Sequence, residues 1–235
     1  MPPSRRIGPI GRYSITKRRK DVEREVASKL QVRLGGGREH YERFNVAPTQ
    51  DVPAVVQDRR GRRSELLRWG LVPRWSRELK TGLSMINARV ETLATSRAFG
   101  GLVERPSHRC LVLADGFYEW VASEDPKQPR LPLRFTLAGG GTFCFAGLWT
   151  TWRDSVRSCA VVTVPANELV APVHDRMPAL LTEPAAWEAW LDPSLDAQAV
   201  APLLAPLPAE AMAVAPANPV LNHPDHEGPN CLVVA

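Results

Sequence analysis

Residues 108–120 read HRCLVLADGFYEW. Cys110 to Ala114 are apolar at every position, a short run that predicts a strand buried on both faces. Asp115-Gly116 is a turn dipeptide, and the strand leads into it. Downstream, LPLRFTL (131–137), TFCFAGLWT (142–150) and CAVVTV (159–164) read as further strands. Upstream, VPAVV (52–56) reads as a strand, DRRGRR (58–63) as a basic hairpin turn, and ELLRWGLV (65–72) as the partner strand. Helical signals are few. Val22, Val26, Leu30 and Leu34 recur every four residues in KRRKDVEREVASKLQVRL (17–34), which predicts an amphipathic helix ended by Gly35-Gly36-Gly37. A short helix is expected around TSRAFGGLVE (95–104), and another at PAAWEAWL (184–191), where Pro184 suits a first helical turn. Residues 193–220, rich in Ala and Pro, read as one short helix with extended connections, and LVV (232–234) as a closing strand. Strands that do not alternate with helices predict an α+β fold. No break in composition marks a linker, so the expected organisation is a loose leader, 1–9, and one domain, 10–235.

The chain has 235 residues, of which 44% are hydrophobic and 23% charged, which excludes disorder over its length. No apolar run approaches the ~18 residues that span a bilayer, and the N-terminus lacks the apolar stretch of a secretory signal. Four cysteines without a CxxC pair make neither a disulfide scaffold nor a zinc framework, so the expected setting is a reducing cytoplasm. Cys110, Cys144 and Cys159 sit in apolar runs and read as core thiols. The net charge of +5 hides an asymmetry. Residues 1–110 carry 24 Lys and Arg against 11 Asp and Glu, a balance of +13, and residues 111–235 a balance of −8. A polyanion-binding face and two oppositely biased solvated surfaces both fit that split.

Several segments carry polar residues that a core strand or tight turn does not need. Asn87 and Arg89 lie in SMINARVET, Asp115 and Glu119 in ADGFYEW, and His174, Asp175 and Arg176 in PVHDRMP. Burial of Glu119 between Tyr118 and Trp120 would favour its protonated form and suit it to proton transfer. His174 could act as a second acid/base group. Each also has a plain reading, as a surface carboxylate, a hydrogen-bonded core histidine or a turn cap. His223 and His226 have H-x-x-H spacing, but no third ligand accompanies them, so neither a metal nor an organic cofactor is expected.

The segments GRYS (11–14), FNVAPTQ (44–50), RWGLVPRW (68–75), MINARVETLATSRAF (85–99), HRCLVLADGFYEW (108–120) and VHDRMPALL (173–181), in this order, resemble the SOS-response-associated peptidase (SRAP) family. The resemblance spans residues 10–235. It implies a single α+β domain with a barrel-like, mostly antiparallel β core and a few peripheral helices. It also implies a monomeric, nucleoid-associated sensor of abasic sites in single-stranded DNA and at single/double-strand junctions. In the family an N-terminal Cys captures the abasic aldehyde as a thiazolidine, and the peptidase of the name refers to self-processing of the N-terminus. By residue match Asn87 would position the reactive N-terminus, Glu119 would relay protons, and His174 would assist proton transfer at the deoxyribose. Arg12, Arg89 and Arg97 would face phosphates, and Pro48, Trp69 and Trp75 would line the groove near bases. Phosphate contacts and aromatic stacking together give sequence-tolerant, salt-dependent binding.

One position departs from the family. Ile10 stands where the nucleophilic Cys is expected, with nine residues ahead of it. Ile has no thiol, so a thiazolidine cannot form there. Three readings follow. A free amine, that of Ile10 after cleavage following Pro9 or that of a chain end folding back, forms a Schiff base and nicks the strand as an abasic-site lyase. Alternatively, the groove binds single-stranded or damaged DNA without chemistry. In the third reading the native start differs and carries Met-Cys.

Overall fold

The strand at the centre of that first stretch is β6 (Arg109–Ala114), and all six of its residues are buried. In the computed structural model of the protein, which describes residues 11–121 and 129–233, it pairs with β3 (Asp51–Asp58) on one edge and β9 (Phe143–Trp152) on the other. The hairpin partner of β3 is β4 (Gly61–Trp69), and Arg59-Arg60 form the turn between them. The strand β10 (Val156–Pro165) runs parallel to β4 at Ser158↔Arg68 and antiparallel to β9, so β3, β4, β10, β9 and β6 close into a ring. Three short strands extend it: β5 (Asn87–Arg89) and β11 (Arg176–Pro178) on β10, and β12 (Leu180–Leu181) on β9. Apart from the parallel pairings of β10, the ladders are antiparallel, in keeping with the expected α+β fold.

A second sheet has the order β13 (Met212–Pro216), β8 (Leu131–Leu137), β7 (Gly116–Val121), β1 (Arg12–Ile15), β2 (Arg43–Val46). Tyr13 docks β1 onto the ring, fully buried, with its ring centroid 5.3 Å from Trp69 and 5.5 Å from Phe145. The chain crosses from ring to sheet at Asp115. Its buried carboxylate accepts from Ser14 Oγ (2.8 Å), Thr16 N (2.6 Å), Thr16 Oγ1 (2.7 Å) and Arg134 Nη2 (2.9 Å). Gly116 is required beside it, because a Cβ there would lie 2.7 Å from Arg134 Nε and 2.9 Å from Ser14 Oγ.

The helices are short: α1 (Arg19–Val22), α2 (Gly100–Val103), α3 (Pro184–Leu191) and α4 (Ala197–Val200). Continuing α1, residues Glu23–Ala27 form a π-helical turn. Val22, Val26, Leu30 and Leu34 are all buried, as their period requires. The helix stops well before the glycine triplet, however, because Gln31 turns left-handed at φ 55°. Trp190 of α3 donates from Nε1 to the Cys110 carbonyl at 2.9 Å, clamping the helix to β6. The expected closing strand at 232–234 is corrected for residues 232 and 233, and residue 234 lies outside the described residues. Residues Pro229–Leu232 form a 3₁₀ turn, and Val233 N bonds to Asn230 O within it, so the edge strand is β13 instead. Cys110, Cys144 and Cys159 are buried thiols. The leader, residues 1–9, and Ile10 lie outside the described residues.

Candidate nucleic-acid interface

Glu119 pairs with Leu133 of β8 and lies one residue beyond the ladder between β1 and β7. Arg12 faces Tyr118, Tyr13 faces Phe117 and Ser14 faces Gly116. One step further in that register sets Gly11 opposite Glu119, so the start of the domain runs beside a carboxylate that is only 6% exposed. Both aromatic neighbours of Glu119 are anchored: Tyr118 donates to the Phe44 carbonyl (2.7 Å) and Trp120 Nε1 to Asn222 Oδ1 (2.8 Å). Arg12 is half-buried. Its Nη1 donates to Asn45 Oδ1 (2.7 Å) and the Leu221 carbonyl (2.9 Å), and its guanidinium lies over the Trp120 ring at 5.9 Å. Burial lowers its pKa, with the field of Asp225 opposing, yet a guanidinium stays cationic. Gly11, Arg12, Trp120, Arg130 and Asn222 line a cleft of about 180 Å³.

A second group forms at the end of β10. There the strand leaves β4 and β9 and takes β5 on one edge, with Val161↔Asn87 and Thr163↔Arg89, and β11 on the other, with Pro165↔Arg176. The NARVET and HDRMP segments therefore flank the same strand end. Arg176 ties them together: it pairs with Glu91 and donates from Nη2 to the Thr163 carbonyl at 2.6 Å. Its hydrogen bond holds the Glu91 carboxyl below the usual carboxylate range. His174 precedes β11, and its Nδ1 accepts from Arg176 N at 2.9 Å. A backbone N–H can only donate, so Nδ1 presents a lone pair and the neutral ring carries its proton on Nε2. Asp175 Oδ1 lies 3.1 Å from the same nitrogen and would pair with it only if Nδ1 were protonated. Arg89 is exposed at the end of β5.

The third feature is a platform. Trp75 is 48% exposed and the guanidinium of Arg97 stacks on it at 4.5 Å. They share a cleft of about 150 Å³ with Pro73, Arg74, Leu102 and Arg105. A stacking face beside guanidinium groups that form no ion pair among the described residues suits a base and its phosphate.

A model of the SOS response associated peptidase (SRAP) family matches residues 10–224. The chain is 36% identical to the abasic site processing protein YoqW of Bacillus subtilis (strain 168) over 201 residues, 83% of this chain and 87% of that one. The chain belongs to the SRAP family. It is also 31% identical to the abasic site processing protein YedK of Escherichia coli (strain K12), over 77% of this chain and 78% of that one. The abasic site processing protein HMCES of Gallus gallus is 31% identical over 71% of this chain and 56% of its own length. A crystal structure of a Bacteroides thetaiotaomicron protein shares the fold, with a TM-score of 0.77 at 23% identity over 95% of this chain and 99% of that one.

As an SRAP chain it places the residues expected at the site unevenly. Asn87, Arg89 and His174 gather at the end of β10, and Arg12 and Glu119 at the start of β1. Trp75 and Arg97 stack on each other in a separate cleft. Trp69 is a correction. It is wholly buried, its Nε1 bonded to the Ile86 carbonyl at 3.0 Å, so it has no face for a base. Its position joins the groups, because one side meets Tyr13 of β1 and the other the residue before Asn87. Pro48 is partly buried in the loop that Thr49 N bonds to the Trp69 carbonyl at 2.7 Å. Arg74 and Arg105 escaped the sequence reading, although Arg74 stands in RWGLVPRW. Asn45 was also missed. It holds the C-terminal tail through the His223 and His226 carbonyls at 3.0 and 2.8 Å. Among the described residues, no group of three or more His, Cys, Asp or Glu is placed to hold a metal, and no helix is long and apolar enough to cross a membrane.

Proposed function

We propose that this SRAP protein binds single-stranded DNA, including strands beside a duplex junction, and captures abasic sites by Schiff-base chemistry. The observation that carries this reading is the register that brings the start of the domain against the buried Glu119. The named activity of the relatives supports abasic DNA as the substrate. A ring-opened abasic deoxyribose presents an aldehyde at C1′. A primary amine at the domain start adds to that carbon, and water leaves as the imine forms. Glu119 protonates the departing hydroxyl. The Glu119 carboxylate so formed then accepts the C2′ proton, the C3′–O bond breaks, and the 3′ phosphate leaves with the Nε2–H of His174 donating a hydrogen bond to the departing oxygen. Water hydrolyses the imine and returns the amine. Asn87 positions the amine and the sugar. Arg12, Arg89 and Arg97 hold phosphates, Trp75 stacks a base, and Pro48 shapes the loop beside it. Ile10 supplies no thiol, which favours a reversible imine over a thiazolidine, and favours as the second reading a binding module without chemistry. On this reading the protein works as a monomer on chromosomal DNA in the cytoplasm.

The test is a single-stranded oligonucleotide carrying one abasic site, incubated with and without borohydride. Adduct only with borohydride, together with nicking, is the expected result. A heat-stable adduct without reductant would overturn the imine. Salt-sensitive binding with neither adduct nor nicking establishes the binding module. Intact mass of the purified chain shows which residue bears the amine.

A further inference from the structure

The hairpin turn DRRGRR has no part in the site described above. Of its arginines, Arg62 pairs with Glu188, and Arg63 with Asp58 and Glu65, on the body of the protein. Arg59 and Arg60 at the tip are exposed, and neither forms an ion pair among the described residues. They face Arg74 and Arg105, which are also exposed and form no ion pair among the described residues, across a cleft of about 610 Å³ completed by Asp58, Ser107, His108 and Trp149. Four guanidinium groups against one lining carboxylate, Asp58, leave an excess of positive charge, and such a cleft concentrates anions. The acidic groups nearby do little to offset them. Asp58 is engaged by Arg63 at 2.7 and 2.9 Å, and Asp154 lines only the adjoining cleft.

Two features narrow the anion. Arg74 and Arg105 also line the Trp75–Arg97 platform, so the two clefts form one continuous track. Unlike the platform, the hairpin cleft has no broadly exposed aromatic face among the described residues: Trp149 is 6% exposed, and His108 is part-buried with its Nδ1 engaged by the Trp149 carbonyl at 3.0 Å. Cations without a stacking face suit phosphates rather than unpaired bases.

We infer that Arg59, Arg60, Arg74 and Arg105 form a phosphodiester clamp that grips the backbone of DNA beyond the nucleotides at the Trp75 platform. The inference rests on the DNA-binding reading and extends its footprint. The clamp takes phosphates whether the extension is single-stranded or duplex.

The test uses the double variant Arg59→Ala/Arg60→Ala, altered only at an exposed turn, with an unchanged melting temperature as the folding control. Probes are an abasic oligonucleotide of about 8 nucleotides and one of about 24, the extension supplied as single strand or as duplex. Removing two phosphate contacts lowers the slope of log K against log salt by about 1.4 on a single-strand extension and about 1.8 on a duplex one. The expected result is that change, with roughly ten-fold weaker binding, on at least one long probe and none on the short one. Equal effects on short and long probes, or no effect on any, overturn the clamp. A long undamaged strand separates the two readings. An Arg59/Arg60-dependent slope without preference for the abasic site leaves the clamp standing and removes the abasic function. Abasic preference with no such dependence removes the clamp alone.

Discussion

Arg176 bridges Glu91, beyond β5, and the carbonyl of Thr163 in β10, and so fixes the segment that carries His174 against the one that carries Asn87. The two partners matter unequally. Glu91 is 47% exposed, so the ion pair itself is worth about 1 kcal/mol or less. The Thr163 bond is buried, and removing its donor strands a carbonyl at a cost of about 1–3 kcal/mol. Arg176→Ala is therefore expected to destabilise by about 2–3 kcal/mol and Glu91→Gln by less than 1. Urea denaturation of both variants checks this, and equal losses would refute the asymmetry.

Asp115 holds the crossing between ring and second sheet, and with it the register that aligns Gly11 with Glu119. Asp115→Ala strands the donors of Ser14 and Thr16 and leaves Arg134 without its carboxylate. Breaking such a buried pair costs about 3–5 kcal/mol. Any adduct formation should fall with it, because β1 loses its anchor. If Asp115→Ala melts like wild type, the carboxylate does not set the crossing.

The strand-rich core was legible because β6, β9 and β10 are apolar runs buried at nearly every position, and no competing helical period interrupts them. The α1 segment was legible in its buried face but not in its length, since the chain turns left-handed at Gln31, where no glycine or asparagine marks a turn. Asn87, Glu119 and His174 could be singled out as polar residues in otherwise apolar segments. The grouping of Asn87 with His174 could not, because it depends on β10 exchanging partners halfway along. Trp69 misled for a related reason. A tryptophan beside a basic residue reads alike whether it stacks on a base or packs edge-on against Tyr13, and only the register of β4 decides.

Glu119 is assigned to proton transfer and His174 to the departing oxygen, so their loss should act on rate. Glu119→Gln and His174→Ala are expected to slow nicking of abasic DNA by about 100-fold or more, the usual contribution of a positioned acid or base. Affinity for the same strand should change by less than about three-fold, because phosphate contacts carry the binding. Single-turnover nicking beside equilibrium binding separates the two, and parallel loss of both would end the assignment.

Trp75 and Trp69 make opposite predictions. Trp75→Ala removes an exposed stacking face and should weaken single-strand binding by about 1–3 kcal/mol with little change in melting temperature. Trp69→Ala empties a core position against Tyr13 and should cost about 3–5 kcal/mol of stability. Thermal melts and fluorescence titrations read the two effects separately. Trp75→Ala binding as tightly as wild type would remove the platform from the DNA track.

His108 reports on the arginine cleft through its protonation. Burial lowers its pKa below the free value, the charges of Arg105 and Arg74 add to the lowering, and the bond to the Trp149 carbonyl opposes it. The folded protein therefore favours the neutral ring. Its stabilising contribution is fully present above the unfolded value of about 6.5 and is lost as pH falls through the lower folded value. Wild type should lose melting temperature between about pH 7 and pH 5, before carboxylates begin to titrate, and His108→Asn, which keeps a donor for the Trp149 carbonyl, should lose less. A phosphate bound in the cleft offsets the field of Arg74 and Arg105, so the His108 midpoint followed by NMR should rise when the long oligonucleotide binds. The Arg59→Ala/Arg60→Ala variant should reduce that rise, and a midpoint indifferent to DNA would place the phosphates elsewhere.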